Sequence, residues 1–361
     1  MGKSMRIATI CIILALLFAV TGTLVLAADK YMEVSNTIEI KDIPANTTKV
    51  ELWMPYPDSD EYQRVTDVSV DAPYPVNITH DSDYGNPMIH MAIFNPQETK
   101  FKVKVKFKVL RHEVDLTKAD PGQVTPWPAN YREYFATFLR PNKNIIVDET
   151  TLKLAKEVVK GETNPFLQAK AIAKYTFEKM KYDYTPDKKN ASKEGSTKHA
   201  LTVCEGGCKD FHALFISLCR SLGIPARYTL GHNLKDSDEG KDMKNGYHCW
   251  AEAYIPGIGW YPTDLSEAKK CEDAYNKDNS KTDQLTKRDK LIWGWWYPDR
   301  VGLFLGRDIL CCPAQVSERP ASLDPAYVEI DGTTHYEITR VMSFKKLPTP
   351  APGVAESNMG K

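Results

Sequence analysis

The first third of the chain has the alternating apolar and polar positions that are typical of β-strands. Residues 101–109, FKVKVKFKV, put their phenylalanines and valines on one face and their lysines on the other, which predicts a strand with one buried and one hydrated face. The stretches YMEVSNTIEI, from Tyr31, and TKVELWMPYP, from Thr48, alternate less strictly, and prolines end the second. We therefore expect a small antiparallel β domain over residues 28–115, followed by a connecting segment over residues 116–140.

The apolar positions change to helical spacing further along the chain. Asp148 and Asn164 are good N-cap residues for two helices, and a proline follows the second of them. A stripe of mostly apolar side chains then shares one helix face over residues 208–222, and the glycine that follows is a good helix end. These patterns predict an α+β second domain over residues 141–345. The proline-containing tail, residues 346–361, is expected to be disordered.

The composition and charge of the chain are those of a globular protein with two domains, and they exclude few classes of function. The chain has 361 residues, of which 42% are hydrophobic, and its 47 basic residues are balanced by 47 acidic ones, which gives no reason to expect a nucleic-acid partner. Lys3 and Arg6 precede an uncharged apolar run that ends near a small-residue cleavage pattern at Ala27. We expect residues 1–27 to be a signal peptide, and the protein to be secreted or periplasmic. If the run is not cleaved, it would instead anchor the protein in a membrane.

Cysteines take a particular meaning in an exported protein. Of the eight in the chain, Cys11 lies in the predicted signal peptide. The remaining seven are Cys204, Cys208, Cys219, Cys249, Cys271, Cys311 and Cys312. An odd number in an oxidising compartment leaves at least one thiol unpaired, although the count is also compatible with few disulfides or none.

The segment CEGGCKDFHALF, which starts at Cys204, leaves three interpretations of Cys208 open. As the first residue of a helix, Cys208 would lie where partial positive charge and free backbone N–H groups favour a thiolate nucleophile and an oxyanion. Cys204, Cys208 and His212 are also four residues apart in succession, as metal ligands on a helix are, although the glycines after Cys204 disfavour a helix there. The third interpretation is a buried structural cysteine or half of a disulfide. In the first case, His212 is expected beside the reactive groups.

A nucleophilic cysteine needs a base, and the base needs an orienting partner. The segment YHCWAEAYIPGIGWYPTD predicts two strands joined by a turn, with His248 on the first and Asp264 at the end of the second. Regular hairpin pairing places Asp264 opposite residue 251 or 252, which is about 10–13 Å along the strand from His248. Contact between the two side chains therefore requires a bulge, a strong twist or a bent strand end.

Taken together, GGCKDFHALFISLCRSLGIPARYTLGH and HCWAEAYIPGIGWYPTD resemble the core of the transglutaminase-like superfamily. The resemblance implies a papain-related fold for the second domain, with Cys208 as nucleophile, His248 as general base and Asp264 as the acid that orients His248. It also implies thiol-dependent acyl chemistry on a peptide or protein substrate without a cofactor. Hydrolysis is slightly favoured over transfer to an amine, because many secreted microbial members are regarded as peptidases. A protein-glutamine transglutaminase and a non-catalytic peptide- or glycan-binding member are the alternatives.

Overall fold

The computed structural model describes residues 29–243 and 246–350 of the chain. The predicted signal peptide and most of the predicted tail lie outside these residues. The strands are β1 (Asp29–Ile40), β2 (Lys49–Pro55), β3 (Gln63–Asp71), β4 (Asn77–His80), β5 (Pro87–Phe94), β6 (Phe101–His112), β7 (Val114–Asp115), β8 (Lys181–Tyr182), β9 (Glu205–Gly206), β10 (Ala226–Asn233), β11 (Tyr247–Ile255), β12 (Gly259–Thr263), β13 (Trp295–Trp296), β14 (Arg300–Leu305), β15 (Tyr327–Ile330), β16 (Thr333–His335) and β17 (Ile338–Lys346). The helices are α1 (Tyr131–Tyr134), α2 (Ala136–Leu139), α3 (Glu149–Val159), α4 (Pro165–Lys179), α5 (Thr197–Val203), α6 (Cys208–Ser221), α7 (Leu265–Lys277) and α8 (Asp283–Ile292).

The β domain consists of two packed antiparallel sheets. One sheet has the strand order β17-β1-β6-β3 and the other has the order β16-β15-β2-β5-β4. The alternation of β6 is realised as the sequence predicts, with Phe101, Val103, Val105, Phe107 and Val109 buried. These side chains join the apolar residues of β1, β2 and β5 in one core between the sheets, and its burial from water stabilises the domain.

The last strands of the chain return to this first domain. Strand β17 pairs with β1 along its whole length, from Ile338 opposite Ile40 to Lys346 opposite Met32, and β15 pairs with β2. Met342 and Phe344 project into the β-domain core and are almost fully buried. Strands β15 to β17 therefore complete the sheets of the first domain, although the sequence assigned residues 327–345 to the second domain and residue 346 to the tail. The residues next to these strands carry no information about which sheet they join.

The second domain packs helices against the antiparallel sheet β12-β11-β10-β14. Helices α3 and α4 begin as the sequence predicts: the Asp148 side chain accepts from the Thr151 N–H, and the Asn164 side chain accepts from the Phe166 N–H. Helix α6 is buried along most of its length and packs on α3, α4, α5 and β11. The connecting segment carries the short helices α1 and α2. None of the helices in the described residues is long and apolar enough to cross a membrane.

The seven cysteines of the described residues are all free thiols. The disulfides that the cysteine count allows are therefore not formed in this structure. Five of the seven side chains, those of Cys219, Cys249, Cys271, Cys311 and the partly buried Cys208, pack in or against the core of the second domain. The cysteines act there mainly as small apolar side chains, so the reactivity of any one of them depends on its neighbours.

Candidate active site

Cys208 is the first residue of α6, as the helical stripe predicts, and its side chain is partly exposed. Gly207 is the N-cap in an extended conformation, and the Asp210 carboxylate accepts from its backbone N–H at 3.1 Å. Cys208 therefore lies at the positive end of a helix dipole, with the unpaired N–H groups of the first turn beside it. Both features favour the thiolate form of its side chain.

Asp210 fixes the loop that precedes the helix. Its fully buried carboxylate accepts from the Ser196 N–H at 3.0 Å and from both the N–H and the hydroxyl of Ser192. Gly206 is required by this arrangement, because a Cβ at that position would lie 2.5 Å from Asp210 Oδ2 and 2.7 Å from its Cβ. Gly206 thus leaves room for the Asp210 carboxylate that holds the turn.

The hairpin of β11 and β12 brings Asp264 to His248 without a bulge. Ile255 pairs with Gly259 and Ala251 with Thr263, so Asp264 follows β12 at the level of Trp250. Trp250 and His248 share a strand face, which makes Asp264 a diagonal neighbour of His248 within reach of its side chain. The regular pairing expected from the sequence placed Asp264 one or two residues too far from His248, and this was wrong because the turn consists of residues 256–258, with Gly259 already paired with Ile255.

The Asp264 side chain lies at the junction of a strand and a helix and is fully buried. Its Oδ2 accepts from His248 Nε2 at 2.6 Å. Its Oδ1 caps α7 by accepting from the Glu267 N–H at 3.0 Å, and it also accepts from the Ser266 hydroxyl at 3.1 Å. The helix cap fixes the carboxylate, and the carboxylate in turn fixes the orientation of the imidazole.

Arg300 is a member of this site that the sequence did not identify. It begins β14, is fully buried, and its Nη2 donates to Asp264 Oδ2. The β domain holds β14 in place: Gln63 exchanges hydrogen bonds with the backbone of Gly302 at 2.8 and 2.9 Å, and Arg111 Nε donates to the Arg300 carbonyl at 2.5 Å. No local pattern could have identified Arg300, because it approaches Asp264 only through the pairing of β14 with β10.

The three residues that the resemblance implied are brought together. Cys208 lies near the His248 side chain, whose hydrogen bonding and charge lower the pKa of the thiol. Since Nε2 of that imidazole is bound to Asp264, its Nδ1 is the nitrogen left for the thiol. A partly exposed cysteine, a buried imidazole and a buried carboxylate are thus gathered at one place.

The charges of these groups reinforce one another. A hydrogen bond from Cys249 holds the pKa of Cys208 well below its usual value despite burial, and the hydrogen bond and charge of His248 act in the same direction. Burial lowers the pKa of His248, but the charge and hydrogen bond of Asp264 outweigh it and raise that pKa to about 9. Asp264 itself is buried, yet the charges of His248 and Arg300 hold its pKa well below the usual range. Both shifts favour a thiolate beside an imidazolium over the neutral pair.

Cys249 and His212 form a second buried pair of side chains between β11 and α6. Cys249 follows His248 in β11 but faces α6, because successive residues of a strand point to opposite faces. Its Sγ lies 3.6 Å from Nδ1 of His212, and Nε2 of His212 lies 3.3 Å from the Leu265 backbone nitrogen. His212 is thus beside the reactive groups, as its helix position predicts, without contacting Cys208 through its own nitrogens.

The metal interpretation of the same segment is not supported by the arrangement of its side chains. Cys204 ends α5 in the left-handed conformation, and its thiol lies 3.6 Å from the Leu201 carbonyl oxygen, so it does not share the α6 face of Cys208 and His212. Within residues 29–243 and 246–350, no three His, Cys, Asp or Glu side chains converge as metal ligands do.

Comparison with known proteins agrees with this arrangement at the level of family and fold. Residues 152–265 match the sequence profile described as Transglutaminase-like superfamily. An uncharacterized protein of Haemophilus influenzae is 25% identical over 321 residues, which make up 83% of this chain and 86% of that protein. An uncharacterized protein of Mycobacterium leprae is 29% identical over 143 residues, or 39% of this chain and 49% of the relative.

A solved structure extends the similarity to most of the chain. The crystal structure of a "Putative Cysteine Protease" from Cytophaga hutchinsonii superimposes with a TM-score of 0.59 and 17% identity, and the match covers 90% of this chain and 93% of that one. At this identity the match concerns the fold alone. The α+β fold class, with an N-terminal antiparallel β domain and a papain-related second domain, is thereby confirmed.

Proposed function

Residues 152–265 belong to the transglutaminase-like superfamily, and from that premise we propose that Cys208, His248 and Asp264 form the catalytic triad of a cysteine enzyme. The observation that carries the proposal is the 2.6 Å contact between His248 Nε2 and Asp264 Oδ2, which leaves Nδ1 of the same ring for the Cys208 thiol. The proposed reaction is the cleavage of a peptide or amide bond through a thioester.

The first half of the reaction forms the thioester. The Cys208 thiolate attacks the carbonyl carbon of the substrate, and the carbonyl electrons move onto oxygen. As the oxyanion collapses, the C–N bond breaks and the His248 imidazolium gives its Nδ1 proton to the departing amine. Asp264 keeps the proton of Nε2 in place and stabilises the imidazolium, so that the ring can both give and accept a proton at Nδ1.

The start of α6 supplies part of the stabilisation that the oxyanion requires. The backbone N–H of Cys208 has no acceptor within its own helix, and the helix dipole adds positive potential at the same place. A donor held there before the substrate binds needs no reorganisation during the reaction, which is why such donors contribute strongly to the rate.

The second half of the reaction decides between two activities. If water attacks the thioester, His248 removes its proton, the C–S bond breaks, and a carboxylic acid is released. If an amine attacks, the product is a new amide. We favour hydrolysis, because the resemblance extends to secreted microbial members, many of which are regarded as peptidases, and water is always present at high concentration.

Chemical labelling and product analysis test the proposal. Iodoacetamide should alkylate Cys208 below pH 7, where an ordinary thiol is almost entirely protonated, and Cys208→Ser should abolish that labelling. Cys219→Ser, which changes a buried cysteine on the same helix, is the matched control. Incubation with peptide libraries, with and without an added primary amine, then shows whether water or the amine accepts the acyl group. Absence of labelling at Cys208 in the folded protein would falsify the triad, whereas amide products would replace hydrolysis by transamidation.

A further inference from the structure

We propose that Arg300 is a positioning residue for the reaction: its buried guanidinium is a permanent counter-ion that keeps the Asp264 carboxylate ionised and bound to His248 while the imidazole gives and accepts a proton. Arg300 lies outside the Cys-His-Asp triad, and the inference rests on the proposed roles of His248 and Asp264.

The carboxylate oxygen that binds the imidazole also binds the arginine. Asp264 Oδ2 accepts from His248 Nε2 at 2.6 Å and from Arg300 Nη2. The side chains of Asp264 and Arg300 are fully buried, and His248 is almost so. One oxygen thus contacts a group that changes its charge during the reaction and a group that does not, because a guanidinium stays protonated throughout the pH range of catalysis.

The guanidinium makes few other polar contacts. Within residues 29–243 and 246–350, its Nε and Nη1 are buried without a hydrogen-bond acceptor, and Asp264 is the only carboxylate with which it forms an ion pair. Aromatic rings cover it instead: Cζ lies 4.1 Å from the ring centre of Tyr297 and 5.9 Å from that of Trp250. A buried cation with unpaired nitrogens is costly to the fold. The charge of Arg300 is therefore directed at Asp264 rather than at a wider network.

The strand that carries Arg300 is held from both domains. Gly231 in β10 pairs with His248 on one side and with β14 on the other. A Cβ on Gly231 would lie 1.9 Å from the Val301 carbonyl oxygen, so the glycine is required for β14 to lie against β10 at this level. From the β domain, Arg111 Nε donates to the Arg300 carbonyl at 2.5 Å. The backbone of Arg300 is thus fixed before the substrate binds.

The arginine matters most when the imidazole is neutral. Burial raises the pKa of Asp264, but the charges of His248 and Arg300 outweigh it and hold that pKa well below its usual range. Once His248 has given its proton to the leaving amine, its share of this stabilisation is lost, and Arg300 remains as the counter-charge of the buried carboxylate. Asp264 therefore stays ionised in both states of the ring and leaves the Nε2 proton on the imidazole.

The same charge limits how tightly His248 holds its proton. A fixed cation lowers the proton affinity of the groups beside it, so without Arg300 the pair of His248 and Asp264 should bind its shared proton more tightly. The imidazolium would then be a weaker acid and would protonate the leaving amine less readily. Loss of Arg300 should thus raise the pKa of His248, whereas loss of the Asp264 charge should lower it.

Other ionisable groups face this pair and Arg300 from the neighbouring elements: Cys208 and His212 on α6, Glu267 on α7, Tyr297 before β14 and Arg111 on β6. Burial lowers the pKa of His212 to about 4 and raises that of Tyr297. The charge of Lys270 outweighs burial and lowers the pKa of Glu267 to about 2, and the pKa of Cys208 is also lowered. These groups titrate away from His248, so a shift of its pKa reports the loss of the Arg300 charge.

The experiment measures the titration of His248 by nitrogen NMR of histidine-labelled protein, which needs no turnover; the signal missing in His248→Gln assigns the residue. Arg300→Met removes the cation and is expected to raise the pKa of His248 by about one unit or more from its value of about 9. Arg300→Lys keeps one charged donor, and since Asp264 accepts from one guanidinium nitrogen only, this variant should titrate near the wild type.

Two further variants control for damage to the fold. Arg307→Met removes another buried arginine, which follows β14 and donates to the Glu194 carbonyl instead of a carboxylate, and it should leave the titration of His248 unchanged. Arg300→Gln keeps an N–H donor without a charge. It replaces Arg300→Met if that variant does not fold, and it should raise the pKa of His248 as far, because the charge is the proposed agent.

The outcomes separate this inference from the proposed function. An unchanged pKa of His248 in folded Arg300→Met would overturn the inference and make Arg300 a packing residue, while the triad stands. A shift in Arg300→Lys as large as that in Arg300→Met would overturn it as well, because a cation at this position would then have no effect. If wild-type His248 titrates near 6.5, or if Cys208 is not alkylated below pH 7, the proposed triad itself fails first.

Discussion

Replacement of Asp264 by asparagine should move the alkaline limit of activity to lower pH. The substitution removes the charge beside His248 but keeps an oxygen that can cap α7, so the helix start is conserved. His248 has a pKa of about 9 in the structure. Compared with an ordinary histidine, whose pKa is near 6.5, the imidazolium form of His248 is favoured by about 3 kcal/mol, and the substitution should remove this stabilisation.

The sign of the effect follows from the proton that His248 must give to the leaving amine. In the wild type the imidazolium persists as the pH rises and is lost only through about pH 9. Without the Asp264 charge, burial remains and the pKa should fall to about 6.5 or below, so that the protonated fraction at pH 8 drops from about nine-tenths to about 3%. Relative to the wild type, kcat/KM should therefore fall roughly 30-fold more at pH 8 than on the acid side, and the wrong tautomer of the imidazole should cause a further loss that is equal at every pH.

The assay is the pH profile of kcat/KM on a peptide substrate, which reports the ionisations of the free enzyme. Asp278→Asn, at the exposed end of the same helix, removes an equal charge and serves as the control. If folded Asp264→Asn loses activity by the same factor at every pH, so that its alkaline limb stays near that of the wild type, the charge of Asp264 does not set the basicity of His248 and the reasoning is refuted.

Three further substitutions test other parts of the structure. Arg300→Gln removes the buried cation beside the triad carboxylate and should lower the free energy of unfolding by about 3–5 kcal/mol in urea denaturation; a loss below 1 kcal/mol would contradict a buried ion pair. Gly206→Ala forces a Cβ to within 2.5 Å of the Asp210 carboxylate and should slow Cys208 alkylation at fixed pH. An unchanged alkylation rate would argue against the turn described for this loop. Phe344→Ala, in the β-domain core, should cost about 3–5 kcal/mol of unfolding free energy, whereas Val341→Ala on the more exposed face should cost less than 1.

The local features of the site were accessible from the sequence. The extent of α6 and its start at Cys208 follow from the spacing of apolar residues and from the glycine that ends the helix, both of which depend on neighbours within one turn. The strand that carries His248 and the return strand before Asp264 follow equally from alternation and turn residues. The periodicity of β6 gave the buried face of the β domain for the same reason.

The features that the sequence could not supply depend on distant pairing. The distance between His248 and Asp264 is set by the register of a hairpin, and a change of one residue in the turn alters which side chains meet. Arg300 reaches Asp264 across a sheet, and β17 joins β1 about 300 positions earlier in the chain. Such contacts are decided by the packing of whole sheets rather than by the residues next to each strand.

The return of the last strands has a consequence for the order in which the protein matures during synthesis. Strand β1 is synthesised about 300 residues before one of its two neighbours, β17. Until residue 346 has emerged, one side of β1 lacks the neighbour with which it pairs in the folded protein. A chain that stops before β17 would therefore carry every group of the proposed triad beside a β domain whose core lacks Met342 and Phe344.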